Sequence, residues 1–137
     1  NDINIPRETI ESESISEFIK NGKTNYFIQM NDVSDTNAND AVSFLLEKIK
    51  EFTGANLYVS KNEIISNSTS KIICINKQEG TDSLEYKISI ANNKIELVYN
   101  SSNQAKALVM NFLEEIFGYK NFNFDLEVTN IPNKINQ

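Results

Sequence analysis

Hydrophobic residues change their period several times along this chain, and each change marks an element. Between Ala41 and Gly54, Val42, Leu45, Ile49 and Phe52 recur at helical spacing while Glu47, Lys48, Lys50 and Glu51 fall mainly off that stripe. This predicts an amphipathic helix ended by a glycine in the left-handed conformation. The run Lys71 to Asn76 contains Ile72, Ile73, Cys74 and Ile75, which predicts a central strand covered on both faces. Leu84, Tyr86, Ile88 and Ile90 then alternate with Glu85, Lys87 and Ser89. After Asn92-Asn93, Ile95, Leu97 and Tyr99 return opposite Lys94 and Glu96, a hairpin with one buried face. Ala105, Leu108, Val109, Phe112, Leu113 and Ile116 form a second helical stripe, which we expect to be capped by Ser101-Ser102 and stopped by Gly118.

The flanking segments carry weaker patterns. Asn1 to Ser14 is a polar, irregular lead-in. Asn21-Gly22 lies between Ile15, Phe18 and Ile19 on one side and Tyr26 to Met30 on the other, predicting a tight hairpin and a first antiparallel pair. Asn31 to Asp40 reads as a loop, Asn56 to Val59 as a short strand, Ser60 to Ser70 as a polar loop, and Tyr119 to Val128 as a last strand. Together these predict an α+β fold: a mixed, largely antiparallel sheet with two main helices packed on one face. The expected boundaries are an irregular lead-in at 1–14, a single α+β domain at 15–132, and an exit segment at 133–137.

Composition narrows the chemistry. The 137 residues fit one domain, and no apolar run approaches the ~20 residues that span a bilayer. A net charge of -6 with no basic stripe argues against nucleic acid as a partner. There is no histidine, so Ser-His-Asp and Cys-His catalysis and imidazole metal ligation are absent from the repertoire. The single cysteine, Cys74, lies in the apolar run and reads as a core residue. The chain opens on Asn1 instead of Met, from which we expect a processed or excised segment with a leader lost upstream.

Each local candidate has a plain structural reading. Asp35-x-Asn37-x-Asn39 imitates the start of a calcium loop, but Asp40 replaces the turn glycine and Leu46 the bidentate glutamate, so helix capping explains these residues better. Glu114 and Glu115 diverge by about 100° on a helix. Glu47 and Glu51 share a face interleaved with lysines, which reads as a solvated side. Among the tyrosines, Tyr86 and Tyr99 are in phase with a buried face, predicting core packing with a wetted hydroxyl. Asn67 and Asn100 match glycosylation acceptors, a weak signal in an Asn-rich chain. We therefore expect no catalytic, cofactor-binding or metal-binding residue.

The order of elements carries a resemblance. A helix closing in Phe52-Thr53-Gly54-Ala55-Asn56-Leu57-Tyr58-Val59, an Ile-rich strand, a hairpin opening Leu84-Glu85-Tyr86-Lys87-Ile88 and a helix ending Phe112-Leu113-Glu114-Glu115-x-x-Gly118-Tyr119 resemble the small α/β domain that precedes the catalytic barrel in several glycoside hydrolases. The similarity is to the N-terminal domains of family 67 and 115 α-glucuronidases and to the second domain of family 20 β-hexosaminidases, over roughly Tyr26 to Pro132. The family has Gly and Tyr early in the second helix, where this chain has Gln104 and Ala107. The resemblance implies a non-catalytic accessory domain of a larger secreted, periplasmic or cell-surface enzyme. Its partner would be a downstream (β/α)8 barrel of the same parent chain, joined near Ile131-Pro132. The other expectation is an autonomous glycan- or protein-binding module using the 31–40 or 60–70 loop.

Overall fold

In the computed structural model the describable residues are 11–12, 18–60, 71–78, 86–91 and 94–117. The first helix, α1 (Thr36–Thr53), is built around Ala38, Ala41, Val42, Leu45, Ile49 and Phe52, all buried at intervals that follow the helical repeat. It begins five residues before the predicted start. Asn37, Asn39 and Asp40 have poor helix propensity, but Asp35 caps the helix through its side chain, and Asn39 Nδ2 donates to the carbonyls of Val33 (2.8 Å) and Asp35 (3.0 Å). The Thr-Gly stop behaves as read. Thr53 Oγ1 donates back to the Ile49 carbonyl and accepts from Ala55 N, while Gly54 adopts φ +81° and its N–H reaches the Lys50 carbonyl at 2.8 Å.

The sheet contains β1 (Glu11–Ser12), β2 (Phe27–Met30), β3 (Ile72–Lys77), β4 (Tyr86–Ala91) and β5 (Lys94–Tyr99) in the order β1-β4-β5-β3-β2. Four strands form its body, and the two-residue β1 lies beside β4. The sheet is mixed, but among the described residues the expectation that it is largely antiparallel is corrected: β1/β4, β2/β3 and β3/β5 are parallel, and β4/β5 is antiparallel. The reason lies in the connections. The α1 crossover returns the chain to the same end of the sheet before β3, so β3 runs alongside β2. The β4–β5 hairpin folds back and sets its second strand, not its first, against β3.

Asn21-Gly22 does form the predicted turn, with φ +55° and +73° and reciprocal bonds between Lys20 and Lys23 of 2.9 and 3.0 Å. Among the described residues that bridge is the extent of the pairing. Strand β2 takes β3 as its partner, and Val59 makes an isolated parallel bridge to Ile28 where a short strand was expected. The expectations for 1–10, 13–17, 61–70, 79–85, Asn92-Asn93 and 118–137, including the last strand, the Gly118 stop and the exit segment, lie outside the described residues.

Cross-strand register sorts the side chains. Ile28, Ile73, Ile95 and Ile90 form one row, and Met30, Ile75, Leu97 and Ile88 the next. These rows join the buried stripes of α1 and α2 (Ala105–Phe117) in one core, so both helices lie against this face. At the helix–helix seam the ammonium groups of Lys48 and Lys106 lie 5.5 and 4.6 Å from the Phe44 ring centroid. The opposite face carries the row Gln29, Cys74, Glu96 and Ser89. Ile72 and Cys74 are buried there too, so β3 is covered on both sides as its sequence implies.

Two measurements test this packing. Gly54→Ala introduces a Cβ that meets nothing within 4 Å, so its cost is the left-handed backbone alone, about 1 kcal/mol by urea denaturation, with Gly54→Asn intermediate. Tyr26, packed edge-on against Phe18 at 5.1 Å, is buried, and its hydroxyl has no hydrogen-bond partner among the described residues. Tyr26→Phe therefore stabilises the fold by about 1 kcal/mol. Burial also pushes the Tyr26 hydroxyl from 10.0 up to about 12. Between these values the unfolded chain has lost this proton while the native one keeps it, so native stability falls as pH rises through that window. The tyrosine-to-phenylalanine variant removes this component of the alkaline fall.

Candidate functional site

The carboxyl ends of β2, β3 and β5 meet at one end of the sheet, beside the N-termini of α1 and of the 3-10 turn Ser102–Gln104. Open sheets with parallel strands hold ligands in this position. Here the chain gathers Asn31, Asp32, Ser34, Asp35, Asn37, Lys77, Tyr99 and Ser102.

The central group is Asp35, a buried carboxylate. Oδ1 accepts from Ala38 N at 3.1 Å, and Oδ2 accepts from the Tyr99 hydroxyl at 3.1 Å with Lys77 Nζ 4.0 Å away. Lys77 is positioned through its backbone. Asn31 Oδ1 accepts from Lys77 N at 2.7 Å, and Asn31 Nδ2 donates to the Lys77 carbonyl at 2.8 Å, which continues the β2–β3 ladder with a side chain in place of a strand. Register places Lys77 opposite Tyr99 on the helical face, where its ammonium meets Asp35. Asp32 forms a neighbouring turn: its Oδ1 accepts from Ser34 Oγ (2.6 Å) and Ser34 N (3.1 Å), and these bonds hold its carboxyl below the usual carboxylate range. Across the gap, Asn37 Nδ2 donates to Ser102 Oγ at 3.0 Å, tying the two helical N-termini together.

This geometry answers the calcium-like motif. Asp35 serves as the helix cap, Asn37 reaches Ser102 and Asn39 points back to the preceding loop, so the three motif side chains diverge onto protein partners. No group of three or more Cys, Asp or Glu side chains placed to hold a metal ion occurs among the described residues. The 31–40 segment is helical from Thr36 onward, and 61–70 lies outside the described residues.

The other candidates are dispersed. Cys74 is buried, and desolvation raises its thiol above the ordinary value. Lys48 pairs with Glu51 at 3.1 Å on the outer surface of α1, and Glu47 and Glu114 are exposed. Tyr86 and Tyr99 are core residues as expected, but their hydroxyls bond protein instead of facing water: Asn111 Nδ2 donates to Tyr86 Oη at 2.8 Å, and Tyr99 donates to Asp35. Tyr58 is exposed. At the start of the second helical region Ser101 holds the cap position without a capping side-chain bond, its hydroxyl bonding Asn103 instead. The sequence reading missed Lys77 and Asn31. The available signal was that Lys77 continues the β3 alternation in phase with Ile73 and Ile75.

No known protein-family model matches this chain, and no curated protein matches it in sequence.

Removing the Asp35 carboxylate should disconnect three elements at once. Asp35→Ala is expected to cost about 2 to 4 kcal/mol in chemical denaturation, from the lost cap and the lost bond to the Tyr99 hydroxyl. Asp35→Asn retains much of the cap and costs less. In a double-mutant cycle Asp35→Ala and Tyr99→Phe should be less than additive by about 1 kcal/mol, since either removes the same bond. Strict additivity would show that the two side chains act independently.

Proposed function

We propose that this chain is a non-catalytic accessory domain of a larger secreted carbohydrate-active enzyme, packing beside or positioning a (β/α)8 catalytic barrel. One observation carries the reading: at the end of the sheet where ligands are ordinarily held, the polar side chains are engaged with each other. The Asp35 carboxylate caps a helix and holds a tyrosine, and Asn31 splices two strands. A general acid or base needs a carboxyl that reaches a substrate, and Asp35 is buried and already bonded. The chain also has no histidine to take that role. The resemblance in element order is what supports a carbohydrate-active parent.

The test compares the isolated chain with the longest protein its gene encodes. The chain alone should hydrolyse no member of a panel of aryl glycosides and show no saturable binding to plant or host glycans. The longer protein should hydrolyse at least one and lose thermal stability when this domain is deleted. Turnover by the isolated chain, abolished by a single carboxylate substitution, would overturn the proposal, and so would a parent gene without a barrel. Saturable glycan binding by the chain alone would replace the accessory reading with that of a binding module.

A further inference from the structure

We draw no further inference here: the strongest candidate, the sheet face turned away from the two helices, where Ile72 and Cys74 are buried between the partly exposed side chains of Gln29 and Glu96, carries nothing because nothing among the described residues shows what covers it.

Discussion

The fold turns on one buried carboxylate. Asp35 lies where the chain leaves the sheet and enters α1, and its two oxygens act in different directions. Oδ1 caps the helix by accepting an amide, while Oδ2 reaches the Tyr99 hydroxyl with Lys77 nearby. Burying a carboxylate is costly, and only several concurrent bonds offset the cost. Because its partners come from α1, β3 and β5, those bonds form only when helix and sheet are in register. The carboxylate thus converts a local preference, the start of a helix, into a constraint on tertiary arrangement.

The rest of the core is consistent with that anchor. The apolar rows crossing β2, β3, β5 and β4 give one face a dense apolar surface, and both helices present their stripes to it. Apolar packing is less directional than hydrogen bonding and tolerates volume-conserving rearrangement at small cost. Polar contacts at the sheet end remove that freedom. Asn31 fixes β2 against β3, Asp35 fixes α1 against Tyr99, and Asn37 to Ser102 fixes the two helical starts against each other.

Elements whose chemistry is local were legible from sequence. The Asn21-Gly22 turn, the Thr53-Gly54 stop and the alternation of β4 and β5 each depend on residues within a few positions of one another. Strand direction was not legible, because the direction of β2 against β3 is decided by the crossover between them and not by any residue in either strand. The early start of α1 was hidden for a related reason. Asn37, Asn39 and Asp40 read as loop residues by propensity, and the bonds that make them helical include one to Ser102, far along the chain. The polar knot was half visible: Asp35 could be read as a cap, whereas its partners Tyr99 and Lys77 are joined to it only by the sheet.

The same distinction bears on function. A polar residue in a sequence is a candidate for chemistry until its partners are known, and at the carboxyl ends of these strands the partners are found within the protein.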